Sequence, residues 1–159
     1  QLSRVFTRAF SSTPLAAAGS LKTSSSSRKK LSHMLKNVPT YPFPIQQTFK
    51  QSWFGLYGGK HIQFGNNIGP KSQFKTRRFW MPNIRHTHLY SKALGMNLNL
   101  EVSTSALRTI DKVGGLDNYL LGSKTARLKE LGPKGWKLRH RVLKSAWYQK
   151  LAAKEREAL

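Results

Sequence analysis

The sequence contains no cysteine. This absence excludes disulfide bonds and every zinc site built on thiolate ligands, and it agrees with a reducing compartment. No apolar run approaches the ~20 residues that a transmembrane helix needs, so the sequence predicts no membrane span. These two absences leave charge as the most informative property of the chain.

Acidic residues are also scarce. The chain has 6 Asp and Glu against 28 Lys and Arg, which gives a formal net charge of +22. All six acids lie at or beyond Glu101, so residues 1–100 carry no negative side chain. Such a chain repels itself when it is compact, and it attracts polyanions. The charge distribution therefore predicts a nucleic-acid partner.

The same scarcity removes most routes to catalysis. No carboxylates are paired for acid–base chemistry, and capping at a helix end and a helix start explains Asp111 and Asp117. The stretch GLYGGK is one residue too short for a Walker A loop, and His61 follows where Ser or Thr is required. No nucleophile motif is present. We expect no enzyme activity, no cofactor and no small-molecule substrate.

The most informative stretch is residues 58–85, GGKHIQFGNNIGPKSQFKTRRFWMPNIR. Lys and Arg alternate there with Phe and Trp, and Gly65-Asn66-Asn67 and Gly69-Pro70 predict tight turns. Cationic side chains neutralise phosphates, and flat rings stack on bases. Because RNA is recognised by shape, stacking and phosphate contacts, this composition favours RNA binding.

Three motifs in this order carry a family resemblance: GKHIQFGNNIGP, KTRRFWMPNI and LNLEVSTSALRTIDKVG. Residues 53–121 resemble the bacterial-type large-subunit ribosomal protein 28 family, and the flanking segments are similar to its mitochondrial form. The resemblance implies a structural role in the mitochondrial large ribosomal subunit, in the matrix. The implied partners are large-subunit mitochondrial rRNA and neighbouring mitochondrial ribosomal proteins.

The resemblance also implies a set of rRNA-contacting residues, and the chemistry of the chain extends it. The matched positions are Lys60, Asn66, Asn67, Lys75, Arg77, Arg78, Asn83 and Arg108. Charge and stacking capacity add Lys71, Trp80, Arg85 and Lys112. Arg108 and Lys112 are four residues apart, so on a helix they share one face that is available for phosphate.

The chain is expected to divide into four segments. Residues 1–30 are typical of a mitochondrial presequence, with Arg4 and Arg8 opposite an apolar stripe, many serines and no acid. A disordered basic tail is the alternative for them. Residues 31–52 are predicted to form an extended arm, with a short helix over 31–37, because prolines interrupt them. Residues 53–121 form the predicted core domain, and residues 122–159 a helical extension.

The predicted fold is α+β, with a small sheet or hairpin domain followed by helices. WFGLYGG and HIQF are compatible with a hairpin, and residues 74–81 with a further strand. Alternation over residues 96–102 predicts a half-buried strand. Ser103–Ser105 offer helix N-caps, Gly114-Gly115 end that helix, and 116–121 form another. The remaining helix is expected to break at Gly132-Pro133.

Eleven of the seventeen aromatic residues lie in residues 41–90, and a small β domain must use several of them as core. Trp53, Phe54 and Phe64 are expected in the core, together with one of the adjacent pair Phe79 and Trp80. In the helical tail, a 4, 3, 4, 4 spacing predicts one apolar face that packs on protein; its members are Trp136, His140, Leu143, Trp147 and Leu151. Lys137, Arg141 and Lys144 share the opposite, anion-facing stripe.

A rival function is that of a basic mitochondrial nucleoid protein that packages DNA. It would share the charge and the structural role. It should also show a helix that reads a DNA groove, or repeated basic boxes, and neither is evident in the sequence.

We predict that the protein carries no stoichiometric metal. Where some bacterial members of the resembled family have zinc-binding cysteines, this chain has GLYGG, and His86 and His88 alone cannot fill a coordination shell. Elemental analysis after a chelator wash checks this, and about one zinc per chain would contradict it.

Overall fold

The computed structural model describes residues 21–157, with side chains for residues 26–151. In chain order the elements are α1 (Leu21–Leu35), a short 3-10 helix (Lys50–Trp53), β1 (Gln63–Ile68), β2 (Lys75–Trp80), β3 (Ile84–Ser91), β4 (Met96–Ser103), α2 (Thr104–Lys112), α3 (Leu116–Leu121), α4 (Thr125–Leu143) and α5 (Ala146–Glu157). The α+β prediction is confirmed.

Strands β3 and β4 form an antiparallel hairpin at the centre of the fold, with Ile84 opposite Ser103 and Ser91 opposite Met96. The predicted alternation in β4 is confirmed, since Leu100 and Val102 are buried while Asn97 and Asn99 are exposed. One face of this hairpin therefore packs on the core.

The segment before β1 does not form the hairpin that WFGLYGG and HIQF suggested. Leu56 instead pairs in parallel with Val102 of β4. Its amide donates to the Glu101 carbonyl at 2.8 Å, and its carbonyl accepts from the Ser103 amide at 3.0 Å. The apolar side chain of Leu56 is better buried beside β4 than against the solvent-facing HIQF segment, and this preference overrides the local hairpin signal.

Helix α2 begins and ends as the sequence predicts. The Ser103 hydroxyl accepts from the Ala106 amide at 3.1 Å, which caps the helix, and donates to the Tyr57 carbonyl at 2.9 Å. Gly114 and Gly115 have φ values of 83° and 127°, which L-residues rarely adopt, and they turn the chain into α3.

Asp117 lies in the first turn of α3 but makes no capping hydrogen bond there, which corrects the sequence interpretation. Its buried carboxylate accepts from the Ser91 hydroxyl at 2.6 Å and from the Ala93 amide at 3.1 Å. A local cap and a distant partner look alike in the sequence, because both need an acid near a helix start. In the fold this acid joins α3 to the turn between β3 and β4.

The hydrophobic core spans both the central hairpin and the helices that follow. Its members are Leu56, Ala93, Leu100, Val102, Ala106, Ile110, Leu116, Tyr119, Leu120, Leu131, Leu138 and Val142. Gly135 lets α4 approach closely, since a Cβ there would lie 3.1 Å from Leu56 Cδ2. The four-segment division stays a prediction, although this core contains residues from both 53–121 and 122–159.

The helical tail breaks at Gly132, where φ is 64° and ψ is −176°, as predicted. Its buried face is different from the predicted one, however. Leu131, Leu138 and Val142 are buried, whereas Trp147 and Leu151 are 42% and 39% exposed. Helix α4 ends at Leu143, and a separate helix, α5, begins at Ala146. The helical spacing of apolar residues over 136–151 is therefore interrupted, and these residues do not share one face.

The segment between α1 and the 3-10 helix lies against α4. The Trp136 indole donates to the Pro39 carbonyl at 2.8 Å, and its ring meets that of Tyr41 edge to face, with centroids 5.8 Å apart. The Tyr41 hydroxyl lies 3.1 Å from the Leu128 carbonyl and 3.0 Å from the Lys129 carbonyl. Because Pro133 has no amide hydrogen to offer Lys129, Tyr41 satisfies a carbonyl that the kink leaves unpaired.

The N-terminal predictions are tested only in part. The stripe with Arg4 and Arg8 lies outside the described residues. The short helix predicted over 31–37 is instead the end of α1, which begins at Leu21 and ends at Leu35. Residues 36–49 contain no helix or strand, in keeping with an arm interrupted by prolines.

We predict that Asp117→Asn lowers the free energy of unfolding by about 2 kcal/mol, because the amide loses a charged acceptor and turns a donor toward Ser91 or Ala93. Urea denaturation of the purified protein measures it. The matched control is Asp111→Asn at an exposed position, where we expect a change below about 0.5 kcal/mol. Equal effects would show that the buried contacts contribute nothing.

We also predict that Tyr41→Phe lowers the free energy of unfolding by about 1 kcal/mol, since it removes one hydroxyl and leaves the ring contact with Trp136. Tyr90→Phe makes the same change at a residue that is 59% exposed, and should be neutral. If Tyr41→Phe leaves the free energy of unfolding unchanged, water satisfies the Lys129 carbonyl at the kink as well as the Tyr41 hydroxyl does.

Candidate nucleic-acid interface

The candidate site is built on the antiparallel hairpin of β1 and β2. Gln63 lies opposite Trp80, Gly65 opposite Arg78, and Ile68 opposite Lys75. Every residue of β2 is exposed, and in β1 only Gly65 is partly covered. Within the part of the chain described, these strands pair only with each other. A two-stranded hairpin with both faces in solvent is marginally stable, so it needs an external surface.

The turn of this hairpin is the second of the two turns that the sequence predicts. Gly69 donates to the Phe74 carbonyl at 3.0 Å, and Gln73 reaches a φ of 54° in the same loop. The turn predicted at Gly69-Pro70 is present, whereas the one at Gly65-Asn66-Asn67 is wrong. Those three residues form the middle of β1, where they lie opposite Arg78, Arg77 and Thr76 of β2.

One face of the hairpin carries an aromatic pair and a hydrogen-bonded arginine. Phe64 lies directly opposite Phe79, and the two residues are 61% and 58% exposed. Beside them the Arg77 guanidinium donates to the Asn66 side-chain oxygen at 3.2 Å. The prediction that Phe64 belongs to the core is wrong, because no element of the described fold covers this face.

The other face carries the second arginine and the tryptophan. The Arg78 guanidinium donates to the Asn67 side-chain oxygen at 3.2 Å, and its carbon lies 4.5 Å from the centre of the Trp80 ring. A Cβ at Gly65 would lie 2.7 Å from that ring, so glycine makes room for it. Trp80 is 43% exposed, and neither it nor Phe79 is in the core, contrary to prediction.

The two arginines therefore present their guanidinium groups on opposite faces, each oriented by an asparagine on the facing strand. An Arg fork has further donors beyond the one given to Asn, and these suit phosphate oxygens. Among the described side chains, the ion pair between Arg127 and Glu130 is the only one that uses a Lys or Arg. The positive charge of the hairpin is thus unneutralised within that part of the chain.

All twelve predicted RNA-binding residues are exposed. The hairpin brings together Asn66, Asn67, Lys71, Lys75, Arg77, Arg78 and Trp80, with Lys71 in its loop. Lys60 and Asn83 flank the base of the hairpin, where they line one cleft with Trp80. The other three predicted residues lie outside both the hairpin and this cleft. They are Arg85 on β3, and Arg108 and Lys112 on α2.

Sequence reasoning missed two residues at the base of the hairpin. Gln63 faces Trp80 across the strands, and its amide nitrogen lies 2.9 Å from His61 Nε2. His61 Nδ1 lies 3.3 Å from the Gly59 carbonyl. With Nδ1 as the donor to Gly59, Nε2 accepts from Gln63, so one neutral tautomer satisfies both contacts. The correct register of β1 would have placed Gln63 beside Trp80.

Metal ligands do not cluster in the described residues. No three His, Asp or Glu side chains there come together as a metal site would require. His86 and Glu101 approach across β3 and β4 at 4.0 Å, with both side chains well exposed. The absence of a bound metal stays a prediction. Nor, across residues 21–157, does any helix have the length and apolar content to cross a membrane.

Tyr57, which precedes the hairpin of β1 and β2 in the chain, contacts β4 beside the core. Its hydroxyl donates to a Glu101 carboxylate oxygen at 2.8 Å. Burial raises the pKa of the Tyr57 phenol, and the Glu101 contact raises it further. Tyr57 therefore remains a neutral donor to Glu101.

Comparison with known proteins places the chain in a family. The Ribosomal L28 family model matches residues 55–113. The chain is 52% identical over 122 residues to large ribosomal subunit protein bL28m of Neurospora crassa, covering 77% of this chain and 44% of that protein. It is 47% identical over 107 residues to bL28m of Schizosaccharomyces pombe, covering 66% of this chain and 61% of that one.

A bacterial relative gives the same assignment. Large ribosomal subunit protein bL28 of Rhodospirillum centenum is 44% identical over 72 residues, which are 45% of this chain and 72% of that protein. The chain spans about half the length of the fungal relatives, with 44% and 61% of them covered. Since the family model and these relatives agree, the chain belongs to the ribosomal L28 family.

Proposed function

We propose that this protein is a structural constituent of the mitochondrial large ribosomal subunit in the matrix, where it binds and stabilises folded rRNA and is not an enzyme. The fungal relatives are named as proteins of the large ribosomal subunit. The observation that carries the physical side of the proposal is the hairpin of β1 and β2, which presents basic side chains on two uncovered faces.

Phosphate neutralisation is the first part of the proposed mechanism. Arg77 and Arg78 are held by Asn66 and Asn67 at 3.2 Å each, so part of their side-chain freedom is already lost before RNA arrives. Ordering long side chains opposes binding, and preorganisation reduces that opposition. Because the two groups face opposite ways, the hairpin is suited to lie between two RNA segments and to reduce their mutual repulsion.

The basic residues outside the hairpin extend this surface. Arg108 and Lys112 are exposed on α2, and Arg85 is exposed on β3. Each phosphate that they neutralise releases counterions and so strengthens binding at low salt. We assign them a supporting role, since they lie on the core domain and not on the projecting hairpin.

Neighbouring mitochondrial ribosomal proteins are the second class of proposed partner. Trp147 and Leu151, four residues apart on α5, are 42% and 39% exposed. The match to the Neurospora protein covers 122 residues, against 59 for the family model, so similarity extends into the segments that flank the family domain. Nothing in the family assignment supports the alternative function of DNA packaging.

We predict that Arg77→Glu/Arg78→Glu leaves the protein imported and folded but depleted from large subunits. Both changes lie at exposed positions, so the effect on stability should be below about 0.5 kcal/mol. Loss of two phosphate contacts should weaken RNA binding by roughly an order of magnitude and lower the salt slope by about one per contact. Gradient sedimentation of the tagged protein, at physiological and raised salt, measures incorporation.

Two control variants accompany this experiment. Lys92→Glu/Lys124→Glu makes the same change in charge at exposed positions outside the candidate interface, and it should enter large subunits normally. Arg4→Glu/Arg8→Glu should impair import instead, as expected for a presequence. If the Arg77/Arg78 variant enters particles as well as wild type, these arginines are not the principal RNA contact.

A further inference from the structure

A cleft of about 540 Å³ opens at the base of the hairpin. Its walls come from the turn at Gly59–His61, from Gln63 and Trp80 across the two strands, and from Ser103–Ser105 at the start of α2. Sites for small organic ligands commonly have volumes of roughly 300–1,000 Å³. The cleft is therefore large enough for one nucleotide and too small for a duplex.

The apolar wall of the cleft is formed by Trp80, Met81 and Pro82. Arg78 lies over the Trp80 ring at 4.5 Å, and the ring edge rests against Gly65. These contacts fix the ring while the residue stays 43% exposed at the cleft. A fixed, partly exposed indole is a surface on which any of the four bases can stack.

The polar wall is also ordered. The contact of 2.9 Å with His61 uses one amide hydrogen of Gln63. It leaves the Gln63 side-chain oxygen and its second amide hydrogen without a partner among the described residues. An acceptor and a donor on one planar group match the edge of a base, which presents both. Gln63 lies directly opposite Trp80 on the facing strand. The edge of a base that stacks on the Trp80 ring would therefore meet the side-chain amide of Gln63.

Cationic and neutral donors line the rest of the cleft. Lys60 is exposed beside the Gly58-Gly59 turn, and Asn83, which lines the same cleft, is also exposed. None of the described carboxylates lines the cleft. A phosphate attached to a stacked nucleoside would therefore meet an ammonium group and an amide without a repelling neighbour.

We propose that this cleft binds one unpaired nucleotide of an RNA, with the base on Trp80, its edge at Gln63 and its phosphate at Lys60. The inference rests on the proposed function and deepens it. Arg77 and Arg78 supply charge that does not depend on base pairing. The cleft adds selectivity for a nucleotide that is turned out of a helix.

The test compares three short RNA hairpins that share one stem: fully paired, with a single bulged adenosine, and with an abasic bulge. The purified full-length protein should bind the bulged RNA roughly tenfold more tightly than either of the others, the ratio expected from stacking one base. Trp80→Leu and, independently, Gln63→Ala should reduce both ratios toward one. Circular dichroism checks that each variant is folded.

Phe79→Leu is the matched control, because Phe79 is the adjacent aromatic residue on the opposite face of β2 and does not line the cleft. It should keep the preference for the bulged adenosine. The inference is overturned if Phe79→Leu loses the preference as fully as Trp80→Leu does, or if both cleft variants keep it. Competition by free adenosine monophosphate at micromolar concentration would also overturn it, since the cleft would then select a free nucleotide.

The design separates this inference from the proposed function. If wild type binds all three RNAs equally, and that binding weakens steeply with salt, the cleft is not a nucleotide site while the proposed rRNA-binding role stands. If wild type binds none of the RNAs in a salt-dependent way, both are overturned.

Discussion

The two hydrogen bonds that join Leu56 to β4 position most of the functional surface. They link the Leu56 backbone to Glu101 and Ser103, while its side chain lies against α4 at Gly135. Two residues later the chain turns at Gly58-Gly59 and enters the hairpin of β1 and β2. At the same point Ser103 caps α2 and bonds to the Tyr57 carbonyl. The buried pairing of Leu56 with β4 thus anchors the base of the hairpin of β1 and β2, which no other described strand supports.

The division of charge along the chain explains why the buried and the exposed parts differ so sharply. Residues 1–100 contain no acid, so the hairpin cannot satisfy its arginines with ion pairs from its own half of the sequence. Asparagine takes that place by offering a neutral oxygen, which orients each guanidinium without cancelling its charge. The two arginine side chains are therefore oriented while the hairpin stays positive, which suits a partner that carries regularly spaced phosphates.

Periodic segments could be predicted from the sequence, and segments governed by distant contacts could not. The alternation of β4 and the cap of α2 were correct, because each depends on neighbouring residues. Phe64 is predicted to lie in the core because a small β domain must bury several of its aromatic residues, yet no described element covers the face on which Phe64 lies. Asp117 was treated as a cap because its partners, Ser91 and Ala93, lie more than 20 residues away.

The candidate site shows the same limit. All twelve predicted binding residues are exposed, and for the eight that are Lys or Arg the charge alone predicts it. The sequence could not show that Arg77 and Arg78 are each bonded to an asparagine eleven residues earlier, nor that Gln63 faces Trp80. Those facts depend on the register of β1 against β2, and the pair Asn66-Asn67 had suggested a turn in the middle of that register.

The contact of Tyr41 with the kinked helix has a consequence for the order in which the chain can become structured. Its two carbonyl partners lie 87 and 88 residues further along, and the bond from Trp136 to Pro39 closes a loop of 97 residues. Contacts of such long range form late, because the chain entropy of loop closure must be lost first. The segment from Pro39 to Tyr41 therefore stays free of α4 until the last third of the chain is present, and during that interval the Tyr41 ring and hydroxyl are open to other partners.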